Sequence, residues 1–326
     1  MPELDKPISY IRKRLEPYID VVDEYVASDA QEGYYKILKR RKRRGGYRFL
    51  YFCMDTKIRS AHKVIYELLR EYQPKVHPAA HGFVKNRSTL TNAQQHTQQK
   101  YLLHLDIKDF FDSISVTQVK DALIRLGTAE NVAELISKLA TVDGSLRQGL
   151  HTSPDLSNHC LYQLDEKLAA YASSNNLKYT RYGDDMTLSG ATKPNLAAIR
   201  PIIDAFSFRL NEEKIKFQHR GSNQYVTGLT VFDEQPRIPR RFKKRLRLLA
   251  YYIDRYGFED HVKRTRNINR EDYESDEEYE YYLNQALYGS SKYIVGHVAY
   301  LNSVEASRAR PMWDVLNDQR IRDHHS

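Results

Sequence analysis

The stretch LKYTRYGDDMTLSG at 177–190 constrains this chain more than any other. Its residues read as strand, tight turn, strand, with Gly183 supplying the backbone freedom that the turn demands. Two acids, Asp184 and Asp185, stand at the tip. Adjacent strand residues point to opposite faces, so a strained tip is needed to bring both carboxylates near one place. A third acid, Asp106, ends the apolar run YLLHLDI at 101–107, which reads as a buried strand. A lone carboxylate there is costly to bury unless it is paired or metal-bound. With the hairpin lying beside that strand, three carboxylates converge, and they repel one another without a cation. All-oxygen donors of this kind suit Mg²⁺, which keeps waters and accepts phosphate oxygens. A pair of such ions activates a 3′-hydroxyl and stabilises a departing pyrophosphate. The three acids alone leave a second reading open, a surface Gly-Asp turn with Asp106 capping a helix.

Charge narrows the partner class. The chain has 326 residues, with 51 Lys and Arg against 42 Asp and Glu, a net charge of +9. The excess is concentrated. KRRKRRGGYR at 39–48 and PRIPRRFKKRLR at 236–247 each hold seven cations and no acid. One such run is commonly a solvated face; two acid-free runs far apart read as walls of a polyanion channel. The opposite block, 271–280, holds seven acids, and reads as a flexible loop that repels nucleic acid or as a contact for a basic partner. A hydrophobic content of 41% supports a real core, which excludes whole-chain disorder and leaves room for about two domains or one elaborated enzyme fold. No apolar run approaches a membrane span, and the N-terminus carries no apolar leader segment. Cys53 and Cys160 are too few for a disulfide scaffold or a four-ligand zinc site, so the chain reads as intracellular and cytoplasmic.

The coarse pattern is mixed α+β. Residues 7–26 read as an amphipathic helix interrupted at Pro17, and 34–53 as a hairpin turning at Gly45-Gly46. AHKVIYELLREY is helical, with Val64, Ile65, Leu68 and Leu69 inward. The next helix spans 115–127 and ends at Gly127. Ser153-Pro154 reads as N-cap and first turn of a long helix burying Leu156, Cys160, Leu161, Leu164 and Leu168. A helix at about 194–209 and a strand at 225–232 follow, and beyond Pro236 the pattern is helical and basic.

Tyr182-Gly183-Asp184-Asp185 resembles the YxDD box of reverse transcriptases, and further segments agree with it in order. Leu105-Asp106-Ile107-Lys108-Asp109-Phe110-Phe111 resembles the first palm motif. Arg147-Gln148-Gly149, Thr152-Ser153-Pro154 and Ser157-Asn158 resemble the QG…SP…N segment. Asn211-Glu212-Glu213-Lys214 resembles the lysine motif behind the active site, and Val226-Thr227-Gly228-Leu229 the strand before the thumb. Asn92-Ala93-Gln94-Gln95-His96 is similar to the NAxxH element of retron reverse transcriptases, and Val226-Thr227-Gly228 to their VTG element. His81-Gly82-Phe83 and Arg87-Ser88 sit where bacterial members carry a GF…S segment. The chain departs from the bacterial pattern at Cys53-Met54-Asp55, where a proline is usual, and at Leu150-His151, where a small residue and a proline are usual.

The resemblance implies an α+β right-hand polymerase whose antiparallel palm sheet is flanked by helices. Fingers and an N-terminal helical segment would occupy 1–100. The palm would span 101–235, with part of the fingers at about 115–147, and the thumb and C-terminal tail 236–326. Asp106, Asp184, Asp185 and the Ile107 carbonyl would hold two Mg²⁺ ions, and Lys214 would protonate the leaving pyrophosphate. Arg48 would grip the triphosphate, with Lys39 and Arg44 as weaker candidates. Gln148 and Tyr182 would contact the incoming nucleotide. Viral RNA polymerases with a Gly-Asp-Asp turn place a second acid five residues after the first, against the 2′-hydroxyl; here that position is Phe111, which would select deoxynucleotides unless it and Phe110 are both core. Arg240, Arg241, Lys243, Lys244 and Arg247 would track duplex phosphates, and Asn92 and His96 would bind RNA. The implied partners are a structured noncoding RNA as template and primer, dNTPs, the branched RNA–DNA product of an antiphage defence system, and a separate effector protein, with no membrane. Three alternatives share much of the pattern: another bacterial reverse transcriptase of the defence or group II intron class, a non-catalytic RNA-binding scaffold, and an RNA polymerase. The length leaves little room for an intron-type maturase plus endonuclease.

Overall fold

The computed structural model describes residues 8–42, 45–72, 75–318 and 321. Arg44 and the His324-His325 tail lie outside the described residues. The chain divides after Gln224 into two compact units.

The first unit begins with α1 (Ile8–Leu15) and α2 (Ile19–Ala27), separated by a 3-10 turn at Glu16–Tyr18 that carries Pro17. A hairpin follows, β1 (Tyr35–Arg41) and β2 (Tyr47–Cys53), with Gly45 and Gly46 at φ of 95° and 73°. Next come α3 (Thr56–Tyr72), α4 (Thr89–Gln94), β3 (Tyr101–Asp106), α5 (Val116–Arg125), α6 (Glu130–Leu139), α7 (Ser153–Cys160), α8 (Tyr162–Ser174), β4 (Leu177–Tyr182), β5 (Asp185–Gly190), α9 (Leu196–Asp204) and β6 (Lys216–His219). Strands β4, β5, β3 and β6 form one antiparallel sheet in that order.

Some boundaries differ from the sequence expectation, each for a local reason. Helix α3 starts earlier, because Asp55 accepts bonds from the Lys57 and Ile58 amides at 2.8 and 2.9 Å. Its inward stripe therefore includes Ile58 and Ala61, while Val64 is half-buried. The helix expected from Ser153 breaks at Leu161 into α7 and α8. Ser153 is not the cap; it is the first helical residue, and its hydroxyl donates to the Arg147 carbonyl at 2.8 Å. The five apolar residues predicted to face inward from this stretch are all buried. Helix α9 is shorter than expected, opening on Asn195, whose side chain accepts from the Ala197 amide.

The second unit holds a short hairpin, β7 (Tyr225–Val226) and β8 (Leu229–Thr230), then α10 (Arg240–Tyr256), α11 (Phe258–Arg266), α12 (Asp276–Val304) and α13 (Ala306–Asp318). The single strand expected at 225–232 is folded back on itself, because Thr227 and Gly228 both take positive φ, 46° and 84°. The acidic block is not a flexible loop throughout. Asp276, Glu277 and Glu278 form the first turn of the 29-residue α12, capped by Ser275. Negative charge at a helix N-terminus is favoured by the backbone dipoles, which explains that part of the block without invoking a partner. Among the described residues, no helix is long and apolar enough to cross a membrane.

Candidate active site

Residues directly opposed across an antiparallel pair share a face of the sheet. Asp106 opposes Asp185 on β5, and Asp185 opposes Tyr182 on β4. The period-2 rule then places His104, Thr187, Thr180 and Ser189 on that same polar face. The opposite face carries Leu103, Leu105, Met186, Leu188 and Tyr179, which join the hydrophobic core, and α8 packs against β4. Alternation along three strands thus yields one apolar face that joins the core and one largely polar face that ends at the acids. Between β4 and β5, Gly183 turns the chain at φ of 65°. The Ile107 amide donates to the Asp184 carbonyl at 3.2 Å, which fastens the hairpin tip to the end of β3.

Carboxylate oxygens of Asp106, Asp184 and Asp185 lie within 4.8 Å of one another. Asp106 is 3% exposed. Burial first, and then the charge of Asp106, raise the Asp184 pKa above the usual carboxylate range. Asp185 is the most exposed of the three, yet loss of hydration within the cluster and then the Asp184 and Asp106 charges push its pKa up to about 7. The Lys214 ammonium donates to Asp106 at 2.5 Å. Partial burial opposes that charge, yet its carboxylate neighbours outweigh the burial and leave its pKa raised. Three crowded, partly dehydrated carboxylates facing one lysine form an electron-rich site of hard oxygen donors, the donor set that divalent cations of the Mg²⁺ type prefer.

A cleft of about 300 Å³ opens above these acids. Asp106, Ile107, Asp184 and Lys214 line it together with Arg48, Phe111 and Gln148. The hairpin β1–β2 reaches this place through a close backbone approach. The Tyr51 amide donates to the Gln148 carbonyl at 2.8 Å, and a Cβ on Gly149 would fall 2.4 Å from the Tyr51 carbonyl oxygen. Gly149 is therefore required for Arg48 and Gln148 to share one cleft. Phe111 is half-buried, with its ring centroid 5.0 Å from that of Phe110 and 6.2 Å from that of Phe83. Tyr182 lies on the acid face but does not line the cleft. Lys39 holds its ammonium 4.0 Å over the Tyr47 ring.

Residues 37–253 match the family model described as reverse transcriptase (RNA-dependent DNA polymerase). The chain belongs to the reverse transcriptase family. Within it, the similarity is to the retron type. The retron Mx65 reverse transcriptase of Myxococcus xanthus is 36% identical over 212 residues, 58% of this chain and 49% of that protein. The retron Ec86 reverse transcriptase of Escherichia coli is 32% identical over 180 residues, 54% of this chain and 56% of that protein. The retron Ec73 reverse transcriptase of the same organism is 33% identical over 234 residues, 64% of this chain and 72% of that protein. The match to the first two spans about half the length of each of those relatives.

In this retron-type chain the NAxxH residues do not face solvent. Asn92 is 1% and His96 0% exposed, so the expectation that they touch RNA is corrected. His96 joins α4 to the sheet instead, bonding the Ser189 hydroxyl through Nδ1 at 2.6 Å and the Thr180 hydroxyl through Nε2 at 2.7 Å. Burial lowers its pKa to about 3, which keeps the ring neutral. A second correction concerns Lys243. Its ammonium bonds both carboxylate oxygens of the largely buried Glu305 at 2.9 Å, so its charge is already spent inside the second unit. Arg240, Arg241, Lys244 and Arg247 are exposed on α10 and line a groove of about 830 Å³ shared with α13. Sequence reasoning missed the fully buried Arg181 and its partner Asp165, and it named Phe83 only within the GF…S segment, without placing it in the cleft. The available signal was an arginine in alternation with Leu177 and Tyr179, on the inward positions of β4, one residue before the acid-bearing turn box.

Proposed function

We propose that this protein is an RNA-directed DNA polymerase that copies a dedicated structured noncoding RNA, with a right-hand arrangement of fingers, palm and thumb. The observation that carries the reading is the convergence of Asp106, Asp184 and Asp185, the first two of which line a cleft with Arg48, Gln148 and Phe111. The palm corresponds to the four-stranded sheet, the fingers to the β1–β2 hairpin, and the thumb to the helices of the second unit.

Asp106, Asp184, Asp185 and the Ile107 carbonyl would hold paired Mg²⁺ ions, which when bound acidify a primer hydroxyl and offset charge on the departing pyrophosphate. The chain's own residues do the rest. Arg48 offers its five-donor fork to the triphosphate, and Gln148 orients the sugar and base, while Tyr182 stands on the acid face outside the cleft lining. Lys214, on the Asp106 carboxylate in this structure, hands a proton to the leaving group. Phe111 presents an aromatic wall that offers a 2′-hydroxyl no hydrogen-bond partner, which favours dNTPs. The exposed cations of α10 follow duplex phosphates in a salt-dependent way.

Retron membership supports a narrower reading. Synthesis would begin from a 2′-hydroxyl of the RNA and yield branched, RNA-linked DNA, in an antiphage system with a separate effector protein. Primer extension on an RNA template with Mg²⁺ and dNTPs tests the chemistry. Product is expected from the wild-type chain and none from Asp184→Asn with Asp185→Asn, while RNA binding persists. Synthesis by that double variant would show that the metal site is assigned wrongly. Nucleic acid that copurifies with the protein should leave one discrete short DNA after RNase treatment; heterogeneous DNA or none would remove the retron-specific part.

A further inference from the structure

Arg181 is 0% exposed and each of its three guanidinium nitrogens donates a hydrogen bond. Nε and Nη2 donate to the two carboxylate oxygens of Asp165 at 2.9 and 2.7 Å. Nη2 also donates to the Asn158 side-chain carbonyl at 3.1 Å, and Nη1 to the backbone carbonyl of Gly183, again at 3.1 Å. Asp165, likewise without exposure, takes a further bond from the Tyr179 hydroxyl at 2.7 Å. The Gly183 carbonyl belongs to the same peptide plane as the Asp184 amide. Arg181 therefore fixes the plane from which the Asp184 side chain departs.

The same set reaches the turn from its other side. The Asn158 amide nitrogen donates to the Gly82 carbonyl at 3.0 Å. Gly82 lies so close to the turn that a Cβ there would fall 2.4 Å from the Gly183 nitrogen. The backbone of this segment pairs with the edge of β4, the His81 amide donating to the Arg181 carbonyl and the Arg181 amide to the Ala79 carbonyl. Arg181 opposes Met186, on the face away from Asp185, so it acts through the backbone rather than on the carboxylates.

Building on the metal-site reading above, we propose that Arg181, Asp165 and Asn158 are positioning residues that hold the Gly183-Asp184 peptide and so set the spacing of the three acids toward a divalent cation. Stability alone does not account for the arrangement. A buried ion pair is commonly replaceable by apolar residues of similar volume at little cost. What an apolar pair cannot supply is a bond aimed at the Gly183 carbonyl. Lysine cannot supply it while also bridging Asp165, because its ammonium is a single point of charge and not a planar fork.

The test compares wild type with the paired replacement Arg181→Met, Asp165→Leu and with Asn158→Ala, which removes one bond on each side of the turn and strands no charge. Mn²⁺ binding is read from the loss of the free-ion electron paramagnetic resonance signal. The kcat and the KM for dNTP on an RNA template are measured well below each thermal midpoint. The paired variant is expected to fold, to bind Mn²⁺ ~10-fold more weakly, and to lose ~10- to 100-fold in kcat with KM little changed, the range that a displacement of about 1 Å produces. Asn158→Ala should shift both in the same direction by a smaller factor. A folded variant with lowered thermal midpoint but wild-type Mn²⁺ affinity and kcat overturns the proposal. Should the paired variant fail to fold, unchanged Mn²⁺ affinity in Asn158→Ala overturns it equally. A wild-type chain that binds no Mn²⁺ removes the metal-site reading and the proposal with it, whereas one that binds Mn²⁺ without making DNA removes only the activity assignment.

Discussion

Replacing His96 by alanine separates a structural clamp from an RNA contact. The imidazole bonds two buried hydroxyls, those of Thr180 and Ser189, which are 3% and 0% exposed. Hydroxyls donate or accept, so the neutral ring satisfies both in either tautomer. Alanine leaves both without that partner, and each stranded buried group costs about 1–3 kcal/mol. The space left by the ring adds a cavity cost of similar order. The sum is about 6 kcal/mol, which for a unit of this size lowers the melting midpoint by about 12–24 °C. Circular dichroism melts of wild type and His96→Ala measure the shift, and RNA binding is measured where both remain folded. The clamp predicts the midpoint shift with RNA affinity within about 2-fold of wild type. A midpoint that barely moves while RNA affinity falls by an order of magnitude would falsify the reasoning and restore His96 as an RNA contact.

The remaining predictions concern pH, sugar choice and salt. Burial holds His62 near a pKa of about 4 and His96 near about 3, both below the ordinary histidine value. Each ring is neutral when folded and takes a proton when unfolded, so its contribution is intact above pH ~6.5 and is lost as pH falls toward the folded value. By pH ~5 each lowers stability by about 2 kcal/mol, and urea midpoints measured at pH 7 and 5 should record the fall. His62→Phe should flatten that dependence. Phe111→Ala should improve rNTP over dNTP use by at least ~10-fold in kcat/KM ratio, and an unchanged ratio would remove it as the sugar gate. Replacing Arg240, Arg241, Lys244 and Arg247 singly by Gln should each lower the slope of log affinity against log salt for an RNA–DNA duplex by up to about 1. Lys243→Gln should instead lower the thermal midpoint, because it leaves Glu305 without its ammonium.

Local periodicity and turn chemistry made the α+β pattern, the two hairpins flanking Gly45-Gly46 and Gly183, and the acidic tip legible from sequence. These features depend on near neighbours: alternation writes a strand, and glycine writes a positive φ. Where the expectation slipped, a short-range competitor decided. Asp55 opened α3 early, and Thr227-Gly228 folded a supposed strand into a hairpin. The NAxxH element shows the other kind of limit. Its spelling says nothing about burial, and the position of His96 between Thr180 and Ser189 depends on residues more than eighty positions away.

The sequence by itself determined which side chains are the candidates for the chemistry, because Asp106, Asp184, Asp185, Arg48, Gln148 and Phe111 stand in recognisable local patterns. Tertiary structure alone decided that they meet, through the register of β3 against β5 and the backbone approach of Tyr51 to Gly149. It also decided what holds the acidic turn in place. Arg181 and Asp165 belong to a strand and a helix whose separate patterns do not announce a pair. Burial and the fork's geometry follow from the packing of one element on the other, and that packing is a property of the whole first unit rather than of any segment within it.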